Sequence, residues 1–426
     1  MVSRERDMSG GGHNKASWQW ATLLRAPHRV SFLAGCTVVL ASALWWWLEM
    51  VSRTGAWPSV ATAVPATFVH ALVMSLGFMP LFFCGFLYTA GPKWLQMPEV
   101  AAPVILKPVV MMILGWALVL CGAHWHQALA ATGAGMAALG WQALTWRFIG
   151  LLKHSPARDR MHACVVAAAC SVGVLAMGGA AIGLAMADYR IARMSALLGL
   201  WWFIVPVYVA VAHRMIPFFT ASALPGLDAW RPTWLLAILQ GAVILQGVWV
   251  LGEAMGWQSQ PGVMVARVGV SAVSGLIMLT VAVRWGLMQS MRVRLLAMLH
   301  VGFAWLGVAL CLDAVSTALG LMGHGSMGLL PLHALTMGFL ASVLMAMVTR
   351  VSCGHSGRPL LADNLVWCLF WALQLTTLLR LAAAVWPAQS TWLLSVSASG
   401  WLVVMGTWAL RHARWYGLPR VDGGQG

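Results

Sequence analysis

Residues Leu330–Leu360 read LPLHALTMGFLASVLMAMVTRVSCGHSGRPL. From Ala334 to Val348 no ionisable side chain interrupts the apolar text, and then Arg350, His355 and Arg358 follow in close order. An apolar run of this length ending in cations reads as a helix that leaves a hydrocarbon core on its basic side. His333 is the exception, an imidazole where leucine would pack as well. Residues 65–92, PATFVHALVMSLGFMPLFFCGFLYTAGP, set His70 in nearly the same text, HALVM against HALTM.

The same pattern fills the chain on either side. Hydrophobic residues make up 61% of 426 positions, charged residues 9%, and mean hydropathy is +0.80. A soluble domain carries about 25% charged residues, so these are too few to cover an aqueous surface. The fold class expected is an all-α polytopic membrane protein. Apolar runs fall at 31–50, 65–91, 108–123, 127–150, 161–187, 195–213, 233–252, 262–285, 294–318, 327–349, 361–385 and 391–411. They give about twelve transmembrane helices, the third weakened by Lys107–Pro108. Spans two, six and ten then run in the same direction, which points to three four-helix units.

The net charge of +15 does not point to nucleic acid, because the cations lie between apolar runs and form no basic stripe with interleaved aromatics. The lipid bilayer is the expected partner. With the N-terminus inside, 21 of the 26 Lys and Arg fall on that side. Arg53, Arg190 and Arg193 lie opposite, and Arg267 and Arg380 fall within spans. The positive-inside rule therefore places both termini in the cytoplasm. The expected organisation is a tail over 1–30, a helical domain over 31–411 and a tail over 412–426, with no cleavable signal. The eight cysteines form no C-x-x-C pair and read as small buried hydrophobes. Many of the 26 tryptophans sit near the ends of runs, as interfacial belts do.

Depth sorts the thirteen histidines. His70 and His333 each lie one to two turns below the outer surface, at a rise of about 1.5 Å per residue. Two imidazoles at matching depth can ligate one metal or clamp one haem iron from both faces; hydrogen bonding between helices is the plainer use. Nearby Gly77, Gly85, Gly338 and Ala341 allow close approach of a helix or a flat macrocycle. His300, in LLAMLHVGFAW, reads either as a ligand of a second site or as a hydrogen-bonded interior histidine. His124 and His126 form H-W-H, a spacing that suits copper or zinc, although loop histidines are usually solvated. Arg267 and Arg380 lie in the outer parts of their spans, as does Asp313. An Arg–Asp ion pair is one reading; arginines meeting the carboxylates of a haem at the depth of His70 and His333 is the other. His213, Arg214, Arg350, His355 and Arg358 gather after spans six and ten, where anchoring, anion binding or docking are alternatives.

These blocks resemble the NnrS family, polytopic bacterial membrane proteins containing haem and copper and associated with denitrification and resistance to nitric oxide. The resemblance rests on HALTMGFLASVLMAMVTRVSCGHSGRPL, HRMIPFFT, LLAMLHVGFAW and GFLYTAGPKW. It implies a bacterial inner-membrane location, and it carries over to His333, Arg350, His355, Arg358, Arg214, Pro217 and His300. Where the family shows H-A-H-E-M this chain has His70-Ala71-Leu72-Val73-Met74, which loses one His and the Glu. That departure bears on copper more than on haem. His213 also replaces the family's usual Gly. The second run is similar as well to a helix of the haem-copper oxidase catalytic subunit, which has twelve spans and holds a low-spin haem between histidines of helices two and ten. By that analogy His70 and His333 are the axial ligands of one haem. Oxidase-type copper ligands of the middle helices are not evident, so oxygen reduction is not expected.

Two functions compete. One is a haem-bearing protein of the nitric-oxide response, with haem-dependent redox activity toward nitric oxide or metal-nitrosyl species and respiratory or electron-donor proteins as partners. The other is a transporter of a small anion or metal complex, using Asp313, His300 and the inner arginines, with Pro80 and Pro206 breaking two helices. A structural partner of a respiratory complex is a third reading.

Overall fold

The computed structural model describes residues 17–257 and 260–424. Most of the expected N-terminal tail, with Arg4, Arg6 and Lys15, lies outside the described residues. Twelve long helices follow in order: α1 Pro27–Ser52, α2 Ala66–Thr89, α3 Pro103–Trp125, α4 Gln127–Lys153, α5 Met161–Ala185, α6 Tyr189–Ala223, α7 Thr233–Ala254, α8 Pro261–Arg284, α9 Arg294–Leu321, α10 Leu330–His355, α11 Asn364–Val385 and α12 Ser390–Tyr416. Among the described residues there is no strand. Among the described residues eleven helices are long and apolar enough to cross a membrane, and of the twelve above α4 falls short. Gln127, Gln142 and a run of Gly and Ala dilute its hydropathy, yet it packs lengthwise between α3 and α5 like its neighbours.

Local chemistry sets the helix ends. Proline opens α1, α3 and α8, where its missing N–H leaves no helical bond unmade. Asp188 caps α6 by accepting from Arg190 and Ile191 N–H at 3.0 and 3.1 Å, and Asp363 caps α11 through Val366 N–H at 3.0 Å. Pro108 does not end the third helix, which begins five residues before it and runs through. The first helix begins at Pro27, not 31, and the last continues to Tyr416, so His412, fully buried, belongs to the bundle and not to a tail.

An even number of crossings brings the chain ends together. Gln19 N–H donates to the Gly417 carbonyl at 2.8 Å, and Arg29 Nη1 donates to the carbonyls of Tyr416 and Leu418 at 2.9 Å each. The loop cations cluster at this same end, here called the basic face.

The helices can be taken in three consecutive groups of four. Units α1–α4, α5–α8 and α9–α12 join where α4 meets α5, α8 meets α9 and α12 meets α1, which closes a ring. The second helix of each unit lines the interior: α2, α6 and α10 are 83%, 72% and 78% buried, more than any other candidate span. Each also carries a π-helical segment, Val73–Gly77, Leu200–Ile204 and Ala334–Ala341. Such insertions gather at functional sites. Pro80 and Pro206 follow two of the segments directly, where the looser turn relieves the clash between the proline ring and the preceding carbonyl. The helices that looked broken are bulged.

Between α2 and α10 the interior is filled from the basic face by aromatic side chains, not by backbone contact. Phe82 and Phe83 of α2, Tyr208 of α6 and Val343 and Met347 of α10 surround a cavity of about 50 Å³. Tyr208 sets its ring 5.4 Å from Phe83 and 5.7 Å from Phe339.

Candidate functional site

His333 stands immediately before the π segment of α10 and His70 three residues before that of α2, both on the end of the bundle away from the basic face. The two imidazoles lie within Coulomb range of each other, and Arg380 of α11 lies within range of both. His333 Nδ1 is 2.9 Å from the Leu329 carbonyl. A carbonyl only accepts, so Nδ1 carries the proton and Nε2 keeps its lone pair. That is the tautomer of a metal-ligating histidine whose other nitrogen is held by the backbone. The His70 ring lies flat against Trp46 of α1, with centroids 3.8 Å apart and planes at 26°. Its Nδ1 is buried with no partner.

Arg380 has no hydrogen bond, carboxylate or aromatic partner among the described residues, although burial strips water from it. Arg53, at the end of α1, sits over Trp46 at 5.6 Å and within Coulomb range of His70. Two cations and two imidazoles thus share one region, and neither arginine makes an ion pair among the described residues. Arg53 and Trp46 were missed by sequence reasoning, since a tryptophan near a helix end reads as interfacial. The run Trp45-Trp46-Trp47 before Glu49 was the available signal.

Arg267 is placed elsewhere. Its Nη2 and Nε hold both oxygens of Asp313 at 2.6 and 3.1 Å, and Nη1 reaches Glu253 at 2.7 Å. Ser271 adds a third hydrogen bond to Asp313 at 3.0 Å. Of the two readings of Arg267 the structure shows the ion pair, so Arg380 and Arg53, not Arg267, accompany the histidine pair.

His300 is buried between α9 and α6, with Nε2 2.9 Å from Thr220 Oγ1. That contact answers to the interior-histidine reading. His124 Nε2 accepts from Trp45 Nε1 at 2.8 Å and its Nδ1 donates to the Ala61 carbonyl at 3.2 Å. His126 caps α4 by accepting from Ala128 N–H. The H-W-H histidines are occupied by the fold.

The basic-face residues divide. His213 is buried against His162, with Nδ1 to Nε2 at 3.0 Å, and its own Nε2 meets the Pro232 carbonyl at 3.2 Å. His355 instead pairs with His28, ring centroids 4.2 Å apart. The arginines lie over rings: Arg214 over Trp94 at 4.8 Å, Arg350 over Phe219 at 3.9 Å and Arg358 over Trp415 at 4.3 Å. Each gains cation–π stabilisation there. These groups tie helix ends together and do not converge on one point.

The described residues contain no group of three or more His, Cys, Asp or Glu able to hold a metal ion. A closed copper or zinc site draws three or four ligands from protein, so that requirement is not met. A haem iron takes four ligands from its macrocycle and only one or two from protein, so a pair of histidines meets the smaller requirement.

No curated protein sequence matches the chain. The family model described as NnrS protein matches residues 22–420, nearly the full length and all twelve helices. The chain belongs to the NnrS family.

Proposed function

We propose that this protein holds one haem between α2 and α10, with His70 and His333 as its axial ligands, and serves the nitric-oxide response as a redox protein of the bacterial inner membrane. The observation that carries this reading is Arg380, an intramembrane cation beside both histidines without a counter-charge. A guanidinium removed from water needs an anion, and haem brings two carboxylates. Arg380 and Arg53 would hold them, while the Nδ1–Leu329 contact fixes the orientation of His333 and Trp46 that of His70. When bound, haem supplies one-electron chemistry, and two histidine ligands leave its iron closed to gases. The protein would then pass electrons, with a respiratory donor as partner. Copper is not assigned to any residue here. The basic face is read as cytoplasmic from its charge.

A reduced-minus-oxidised visible spectrum of the purified protein tests this reading. The expectation is one haem per chain with split reduced bands, abolished or radically altered in His70→Ala and His333→Ala and retained in His412→Ala. A protein purified without haem, or ligand variants with the wild-type spectrum, would refute it.

A further inference from the structure

The cavity between α2, α6 and α10 lies on the basic-face side of all three π segments, and Phe32 of α1 completes its wall. Its volume is about 50 Å³. One water needs about 10–15 Å³ on this measure, so the space suits a molecule of a few heavy atoms and is too small for an acyl chain. Val207, Val343 and Leu344 are 2%, 3% and 4% exposed. Phe86, Val211 and Val351, toward the basic ends of their helices, are half-buried, so the wall is thinnest on that side.

The lining side chains are Phe, Leu, Val and Met, with Tyr208 as the single exception. Tyr208 is 5% exposed, and its Oη has no hydrogen-bond partner among the described residues. The other buried tyrosines are matched: Tyr88 donates to the Leu144 carbonyl, and Tyr416 Oη meets Ser352 Oγ at 2.9 Å. Buried hydroxyls normally find a partner. An ordered water does not answer Tyr208, because a buried water needs about two to four polar partners and this wall offers one. A cavity so lined stays dry and admits apolar atoms. It also adjoins the segment that follows His333, since the Tyr208 ring packs 5.7 Å from Phe339.

We propose that this cavity binds a small neutral gas molecule, held by apolar contact with Phe83 and Val343 and by one hydrogen bond donated by Tyr208 Oη. A molecule of that class leaves water readily, fits the volume and brings the lone pair that the phenol lacks. Charged species are excluded, since nothing in the wall would replace their hydration. The proposal does not rest on the haem, because no lining residue is one of its proposed ligands.

Crystals of the full chain pressurised with xenon or with nitrous oxide test this. Xenon should give an anomalous peak between Phe83, Tyr208 and Val343. Nitrous oxide, which unlike xenon accepts a hydrogen bond, should give density at the same place with one end toward Tyr208 Oη. Val207→Phe fills the space and should lose both. Where thermal melting shows that variant unfolded, Val211→Phe fills the space from its basic-face end and should lose both as well. Tyr208→Phe removes only the hydroxyl: xenon occupancy should be unchanged, and nitrous oxide occupancy at equal pressure should fall by about twofold or more. The same outcome is expected in protein depleted of haem, which separates this proposal from the axial assignment. No xenon peak in the cavity, ordered water in its place, peaks that persist in a folded filled variant, or a Tyr208→Phe variant that holds nitrous oxide as wild type does would overturn the proposal.

Discussion

At the scale of single residues, the account turns on which charges have partners. Arg267 and Arg380 looked alike in sequence, each a lone cation in the outer part of an apolar run. The fold gives Arg267 two carboxylates and Arg380 none. That distinction was not legible, because a partner 46 residues away, Asp313, is chosen by how α8 packs on α9. His333 was legible from its text, but its tautomer needed the Leu329 carbonyl. A half-buried cation without an anion destabilises the haem-free protein, so Arg380→Leu should stabilise that form by on the order of 1 kcal/mol. The same change should weaken haem retention. Melting curves of haem-free and haem-loaded protein, wild type against variant, check both signs; a variant that destabilises both forms equally would show that Arg380 has a structural role instead.

At the scale of helices, apolar runs and the placement of basic loops foretold twelve segments and their order, since length and charge are local properties. The π segments were not foretold. Only two of the three are followed by a proline, and Ala334–Ala341 has no composition of its own to mark it. Deleting Thr336 removes one residue from that segment and should return it to α geometry. A π turn absorbs its extra residue without turning the flanking helix, so the variant should fold as judged by far-ultraviolet circular dichroism and keep its haem band; loss of the band would show that the bulge itself places His333. Small residues set the helix spacing elsewhere. A methyl group at Gly122 would meet the backbone nitrogen of Ala130 across the α3–α4 contact, and one at Gly115 would lie 2.5 Å from the Gly133 carbonyl. Gly122→Ala should therefore cost about 1–3 kcal/mol through overpacking. Gly150→Ala, on open surface of α4, should be neutral or gain about 0.4–1 kcal/mol. Thermal unfolding in detergent compares the two, and equal effects would contradict close packing at Gly122.

For the whole molecule, a ring of three units places one helix of each at the centre, and two of those three carry a histidine at the same depth. The repeated HAL text was the visible trace of this frame. The cavity walled by α6, α7, α8 and α9 lies next to the same machinery, since Leu329 lines it and holds His333 through its carbonyl. The central claim is that one iron joins α2 to α10 through His70 and His333. Low-temperature electron paramagnetic resonance of the oxidised, purified protein tests it most directly. The account predicts a single low-spin signal of the bis-imidazole type at one spin per chain, lost or converted to high spin when either histidine alone is replaced. A high-spin signal in the wild type, or a low-spin signal that survives either replacement unchanged, would contradict it.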